Sequence, residues 1–387
     1  MQFIDLPAQQ KKIRDKIEDN IRKVLDHGQY IMGPEITALE KRLADYVDTR
    51  HAVGCASGTD ALLLALMAHE VGPGDAILTT PFTFVATAEV ISLLGAIPVF
   101  VDIDPMTFNI DPKRLEQTIE DLTSEASPDH PLPQAIIMNS PQPKGIIAVD
   151  LFGLPADYDS INAVAAKHGL FVVEDAAQSF GGVYKGRKAC SLGNTSCTSF
   201  FPAKPLGGYG DGGMCFTNNP GLDELMRSLR VHGQGSDKYD NVRIGINGRL
   251  DTIQAAILLA KFDIFAEEII LRQQVAGRYT KHFDGSDLLT PPYIPSGCQS
   301  AWAQYSVLAK DNQSRGILLG KLKREGIPTA IYYPKPLHLQ EAFSYLGYQN
   351  GDFSVTEDCA SRIFSLPMHP YLTEEDQEWI CKVCLAC

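Results

Sequence analysis

Lys204 lies in the run Ser199-Phe200-Phe201-Pro202-Ala203-Lys204-Pro205-Leu206-Gly207-Gly208-Tyr209-Gly210-Asp211-Gly212-Gly213. A lysine that follows an aromatic, strand-like stretch and is wrapped by a glycine-rich loop can be desolvated and kept as a neutral amine. That form condenses with an aldehyde to a Schiff base. Glycines also let a backbone approach a bulky ligand closely. Taken alone, the segment reads more simply as a surface lysine beside a mobile loop. Three other segments change that reading.

The first is Gly54-Cys55-Ala56-Ser57-Gly58-Thr59-Asp60, followed by the leucine-rich Ala61–Leu66. Ser57 is a suitable helix N-cap. Small residues at a helix start leave N–H groups free, and the dipole favours an anion there. A plain capped helix would look the same. The second is Thr80-Pro81-Phe82-Thr83-Phe84-Val85-Ala86-Thr87, where two phenylalanines straddle a strand-to-helix junction. One of them can stack on a planar ring, although core packing is the ordinary use of phenylalanine. The third is Leu170-Phe171-Val172-Val173-Glu174-Asp175-Ala176-Ala177-Gln178. An apolar strand here ends in two acids, and a carboxylate at such a place is costly unless paired. A protonated heterocyclic nitrogen would pair with it, as would a structural cation.

One molecule fits all four segments. A phosphate takes the helix start, a ring takes a phenylalanine, a pyridine nitrogen takes an aspartate and an aldehyde takes a lysine. That molecule is pyridoxal 5′-phosphate.

These segments need a scaffold that brings strand ends and helix starts together. Apolar runs at Ala76–Thr80, Ile97–Val101, Ile146–Val149, Leu170–Val173, Thr198–Phe201 and Met214–Thr217 read as buried strands. Helix-like segments Ala61–Ala68, Thr87–Leu94 and Tyr158–Lys167 lie between several of them. Such alternation predicts an α/β fold with a mostly parallel sheet covered on both faces. Ligands of such sheets bind near the carboxyl ends of the strands. Leu250–Phe283 is nearly free of Gly and Pro and predicts long helices. Beyond Asp287 a second unit begins, with a strand at Ala303–Leu308 and a terminal helix capped at Thr373. The expected division is 1–265 for a large domain and 266–387 for a smaller α+β domain. Ser124–Lys144 carries five prolines and reads as a surface excursion.

Composition narrows the partners. The 387 residues carry 34 Lys and Arg against 47 Asp and Glu, a formal charge of −13 with no basic block. Nucleic acid and anionic lipid are therefore not expected partners. No apolar run is long enough for a membrane span, and the first residues lack the pattern of a secretory signal. The expected location is the cytoplasm. The nine cysteines are mostly scattered, as small core residues in a reducing compartment. Cys381, Cys384 and Cys387 have metal-like spacing, yet they fall on the predicted terminal helix without a fourth ligand, and no metal is expected. Gly208-x-Gly210-x-x-Gly213 matches a dinucleotide fingerprint in letters only. A strand-like Met214–Thr217 follows it where a helix is required.

With these motifs in view, the chain resembles the DegT family of nucleotide-sugar aminotransferases. The resemblance runs through Gly54–Asp60, Pro81–Thr87, Glu174–Gln178, Ser199–Gly213 and Gly245-Ile246-Asn247-Gly248-Arg249-Leu250-Asp251. Phe3–Leu6, Gly28–Glu35, Tyr332-Tyr333-Pro334-Lys335-Pro336-Leu337 and Ser365-Leu366-Pro367-Met368-His369-Pro370 fit as well, so nearly the whole chain is covered. Within the family it is most similar to enzymes that aminate the 3-keto group of a UDP-N-acetylhexosaminuronate. The resemblance implies an aspartate-aminotransferase-like α/β fold (PLP fold type I), glutamate as amino donor and a homodimer with shared sites. It also implies roles. Lys204 carries the cofactor and moves the proton, Asp175 pairs with the pyridine nitrogen, Gln178 lies near the ring hydroxyl and Phe84 stacks on the ring. Gly58, Thr59 and Ser199 hold the phosphate, while Asn247 and Arg249 reach in from the neighbouring subunit.

Arg243, Lys335 and Tyr332 are the expected substrate contacts. Tyr332 stands where many relatives carry histidine, and Ser124–Lys144 is longer than their connection. An alternative substrate is a 4-keto-6-deoxy nucleotide sugar. A dehydrating branch of the family has histidine in place of the lysine, which Lys204 argues against. A non-catalytic regulatory protein on the same fold would have no use for Lys204, Asp175 and Gln178 together.

Overall fold

A computed structural model describes residues 1–124, 130–134 and 142–386. Most of the Ser124–Lys144 excursion, and Cys387, lie outside the described residues. The first unit is built from β1 (His51–Cys55), β2 (Asp75–Thr79), β3 (Ile97–Phe100), β4 (Gln142–Val149) and β5 (Phe171–Asp175). After them come a short pair, β6 (Val183–Tyr184) and β7 (Arg187–Lys188), and then β8 (Thr195–Ser199) and β9 (Gly213–Thr217). Seven of these form one sheet in the order β1-β9-β8-β5-β4-β2-β3. The run β3-β2-β4-β5-β8 is parallel, and β9 lies antiparallel to both β8 and β1. Its parallel strands are largely buried, apolar in β2 and β3 but polar in β8 (Thr195-Ser196-Cys197-Thr198-Ser199), as expected where helices cover both faces.

The register sets the site. Asp175 is opposite Val149 on one side and Cys197 on the other, so it ends a strand in the middle of the sheet. The expected strand at Thr198–Phe201 is displaced: β8 ends at Ser199. There the chain leaves the sheet for a closed loop, in which the Phe200 N–H donates to Gly212 O and the Gly208 N–H to Phe200 O, each at 2.7 Å. Gly213 opens β9, not a helix, which removes the dinucleotide fingerprint.

The second unit holds β10 (Leu289–Thr290), β11 (Cys298–Gln299), β12 (Tyr305–Ala309) and β13 (Ile363–Leu366). β10, β12 and β13 form an antiparallel sheet, while β11 pairs with β6. Helices Asn312–Arg324 and Glu374–Leu385 pack with it. Thr373 caps the latter, its Oγ1 accepting the Asp376 N–H at 3.1 Å. Cys381 and Cys384 are buried in this unit's core as free thiols.

One 32-residue helix, Thr252–Phe283, serves both cores. Ala255, Leu258, Phe265 and Ile269 belong to a cluster of the first unit, and Val275, Ala276, Tyr279 and Phe283 to that of the second. The first unit's packing on this helix ends at Ile269 and the second's begins at Val275, and we propose this hand-over, a few residues beyond 265, as the boundary between the two units. Phe265 is 1% exposed and touches the rings of Tyr46 and Phe180. Phe265→Ala should cost about 3–5 kcal/mol, read as a lower denaturation midpoint in urea. A loss below about 1 kcal/mol would mean that the helix packs elsewhere.

Candidate active site

A cavity of about 420 Å³ opens at the carboxyl ends of the parallel strands. One pole is the start of helix Gly58–Ala68. Ser57 Oγ accepts the Asp60 N–H at 3.0 Å and donates to Asp60 Oδ2 at 2.9 Å, so the cap is held by a side chain of its own first turn. The amides of Gly58 and Thr59 precede the first intrahelical acceptor and are available to an anion. A Cβ on Gly58 would stand 2.6 Å from the Ser199 Cβ, so only glycine lets the helix start meet Ser199.

Asp175 and Glu174 are neighbours on β5 and therefore face opposite sides of the sheet. Glu174 is fully paired: its carboxylate accepts the N–H groups of Cys190 (2.6 Å) and Leu192 (2.8 Å) and the Ser196 hydroxyl (2.6 Å). It is the structural acid. Asp175 lines the cavity at 5% exposure, accepting the Thr87 hydroxyl on Oδ2 (2.8 Å) and the Ala177 N–H on Oδ1 (3.2 Å). Burial raises its pKa, while Thr87, Ala177 and the nearby Lys204 charge oppose the rise.

Lys204 faces the same cavity. Burial lowers its pKa from the ordinary lysine value to about 8, against the pull of Asp175. Its side chain keeps some accessible surface because it borders the cavity, but its amine lies deep. The glycines after it meet protein: a Cβ on Gly207 would strike Pro202 O at 2.4 Å, one on Gly213 Ser57 O at 2.2 Å, and ones on Gly208 and Gly210 the Gln254 amide. The loop is tight because it folds on itself and on the helix start.

Of the two phenylalanines, Phe82 is core at 0% exposure and Phe84 lines the cavity at 54%. Gln178 also lines it, accepting the Phe152 N–H on Oε1 at 2.8 Å and reaching Tyr333 Oη with Nε2 at 3.4 Å. Gly58, Thr59, Phe84, Asp175, Gln178, Ser199, Lys204 and Tyr332 are thus brought to one cavity.

Four expected residues stand outside it. Asn247 is exposed, and Arg249 pairs through its backbone with Cys55. Arg243 donates to Ser228 Oγ, and Lys335 is exposed. Among the described residues that line the cavity, Lys204 is the single cation.

Sequence reasoning gave no role to Thr87, Gln304, Tyr333 or Ile4, all of which line the cavity. Thr87 had a signal. It lies on the first turn of the helix Ala86–Leu93, at the end of the quoted Thr80–Thr87 segment, and its hydroxyl meets that of Thr83 at 3.1 Å.

The arrangement suits pyridoxal phosphate: an anion site at a helix start, a buried carboxylate and a desolvated amine share one chamber. Comparison with known proteins agrees. Residues 11–384 match the family model of the DegT/DnrJ/EryC1/StrS aminotransferases. The chain is 48% identical to the UDP-2-acetamido-2-deoxy-3-oxo-D-glucuronate aminotransferase of Pseudomonas aeruginosa, over 98% of each chain. It is 41% identical to a pleiotropic regulatory protein of Geobacillus stearothermophilus, over 98% of this chain and 96% of that one. A solved DegT/DnrJ/EryC1/StrS aminotransferase from Brucella abortus superposes with a TM-score of 0.92 at 48% identity, covering 99% of this chain and 98% of that one. NtdA from Bacillus subtilis, solved with bound cofactor PMP, superposes with a TM-score of 0.85 at 26% identity, over 99% of this chain and 82% of that one. The fold is the aspartate-aminotransferase-like α/β arrangement, and the chain belongs to the DegT/DnrJ/EryC1/StrS aminotransferase family.

Proposed function

We propose that this protein transfers an amino group from glutamate to C3 of UDP-2-acetamido-2-deoxy-3-keto-glucuronate, with pyridoxal phosphate as cofactor, in the synthesis of bacterial surface polysaccharide. The observation that carries the chemistry is the meeting of Lys204 and Asp175 in one cavity beside a helix start. The relative named for that sugar, matched over nearly the whole chain, supports the substrate. A cytoplasmic enzyme fits such a pathway. No helix among the described residues is long and apolar enough to cross a membrane.

When bound, the pyridine ring supplies a sink for the electrons left on a carbon that loses its proton. The chain's residues do the rest. The Gly58 and Thr59 amides and Ser199 bind the phosphate, and Phe84 covers one ring face. Gln178 sits beside the ring hydroxyl. Asp175, held by Thr87, accepts the pyridine N–H and so keeps that nitrogen charged. Lys204 Nζ takes the substrate proton and returns it, for which a pKa near the working pH is best.

The cavity's composition supports a second copy. A substrate with a diphosphate and a carboxylate would meet one cation in this chain, although the net charge is −13. Arg243, Asn247 and Arg249 lie outside the cavity, in or beside a segment with unusual apolar exposure: Tyr239 at 87%, Val242 at 54% and Ile244 at 89%. Exposed apolar surface of this kind marks a contact. We assign the segment to the active site of a partner subunit in a homodimer, with Asn247 and Arg249 on the cofactor side and Arg243 facing substrate. Tyr332 lines the sugar end, and Lys335, close by in sequence, stands at its exposed rim. The relative named as a regulatory protein supports a second reading, a non-catalytic one, which would leave the Lys204–Asp175 pair without a purpose.

Three outcomes test this. In the cofactor-free protein, reductive trapping of Lys204 by an aldehyde should become half-maximal near pH 8. The Asp175 charge favours the ammonium, so Asp175→Asn should move that midpoint to lower pH. An upward move would refute their coupling. A Lys204→Ala chain is expected to be inactive, as is an Asn247→Ala/Arg249→Ala chain, yet their heterodimers should recover activity at one intact site. No recovery in verified heterodimers would remove those residues from a shared site. Offered glutamate with either the 3-keto uronate or a 4-keto-6-deoxy nucleotide sugar, the enzyme should aminate the first, as read by mass spectrometry. Amination of the second alone would overturn the substrate and keep the aminotransferase.

A further inference from the structure

Lys204 borders two spaces. One is the cavity of about 420 Å³ described above, and the other is a gap of about 10 Å³, room for about one water molecule. Among the described residues, Ile4 and Lys204 alone border both. These two side chains therefore form the partition between the cavity and the gap. The gap has a polar lining: Gln9, Glu268, Arg272 and His369 all border it and all are buried.

Ile4 lies outside any helix or strand, yet its place is fixed from both sides. Just before it, Phe3 O accepts the Met368 N–H at 3.2 Å, and the Phe3 ring stands 6.4 Å from that of Tyr332. Just after it, Asp5 Oδ1 accepts the Ala8 N–H at 3.0 Å and caps the helix Leu6–His27. That helix is itself anchored, with Ile13 and Ile17 packed against Ile257 and Ala260 of the long helix. The second unit thus holds one end of a short strap and the first unit the other. Ile4 sits between the anchors, at Lys204.

An isoleucine side chain offers that amine no hydrogen bond. What it does is keep water away. Removing water penalises the charged ammonium and not the neutral amine, so closing the partition favours the neutral form. Opening it would join gap and cavity and let water reach the amine from a second side.

We propose that Ile4 is a positioning residue for the reaction of Lys204, closing the partition beside the amine and keeping it dry enough to condense with an aldehyde. This role rests on Lys204 being the amine that bears the cofactor, as proposed above.

The ionisable groups that face Lys204 come from several elements. Across the cavity they are Asp175, Asp211, Tyr332 and Tyr333. Across the gap they are Asp5, Glu268, Arg272, His369 and Tyr371. Burial pushes the three tyrosines up, holds His369 down to about 4 and lowers Arg272 to about 10, so none of these five changes charge near pH 8.

The test uses cofactor-free protein treated with acetaldehyde and cyanoborohydride across a pH series, with the adduct followed on the Lys204 peptide by mass spectrometry. The wild type should be half-trapped near pH 8. Ile4→Ala should move that midpoint up by about one pH unit, because a rehydrated amine holds its proton to higher pH. Ile4→Leu refills the partition and should leave the midpoint in place. A lower thermal midpoint for Ile4→Ala with an unmoved trapping midpoint would make Ile4 a merely structural contact and overturn the proposal. So would a downward move, or an equal upward move in Ile4→Leu. If Ile4→Ala does not fold, Ile4→Thr keeps the β-branched shape and brings a hydroxyl to the partition. It should show the same upward move, and an unmoved midpoint there counts equally against the proposal. A wild type trapped at Lys204 only near the ordinary lysine value would instead sink the reading of Lys204 as a desolvated amine, and this inference with it.

Discussion

Asp175 is the fixed point of the molecule. A carboxylate in the middle of a sheet is costly to bury, and this one is held by one hydroxyl and one amide. Everything near it answers that cost without cancelling it. Thr87 comes from the helix after β2, Ala177 from the turn after β5, and Lys204 from the loop after β8, so three connections converge on one carboxylate. Full pairing would make it another Glu174, tied to two backbone amides and a serine and closed to any ligand. The two adjacent acids show the difference between a charge used to hold a fold and a charge kept for a ligand.

The same tension acts on Lys204. Desolvation lowers its pKa to about 8 against the pull of the nearby carboxylate, so neither charge state is strongly preferred near pH 8. An amine that must both bond an aldehyde and carry a proton is served by that balance. The loop around it is tight enough to keep the balance, because four of its glycines pack against Pro202, Ser57 and Gln254 at distances that exclude a side chain.

Much of this was legible in the sequence, for local reasons. Strands buried on both faces appear as apolar runs, and β2, β3, β5 and β9 fall close to where those runs stand. β1, the five residues His51–Cys55, did not stand out, since a histidine and a glycine interrupt so short a run. The expected residues that line the cavity were legible because each part sits at a strand end or helix start with its own local signature. The glycines were read as making room for a ligand, whereas they make room for the chain. Gln304 and Tyr333 carry no such signature: one polar residue in a buried run and one tyrosine beside another gain meaning only when the second unit folds against the first. Asn247, Arg249, Arg243 and Lys335 are legible as motif positions, but one chain does not bring them to its own cavity.

Helix Thr252–Phe283 gives the cavity a mechanical character. At about 1.5 Å per residue it is a rod roughly 48 Å long. Glu268 ties it to Gln9 of the first helix, while Arg272 and Gln273 tie it to the backbone of Trp302 and Ser300, and Arg278 to Gln377. The wall that carries Gln304 is therefore braced two residues away by the same rod whose other half is set in the core beneath Lys204. To spread the cavity, the second unit would have to bend that rod or break its braces. Large-angle opening of the kind used by hinged enzymes is thus stiff here, and the softer route for a bulky ligand to enter is through the rim loops.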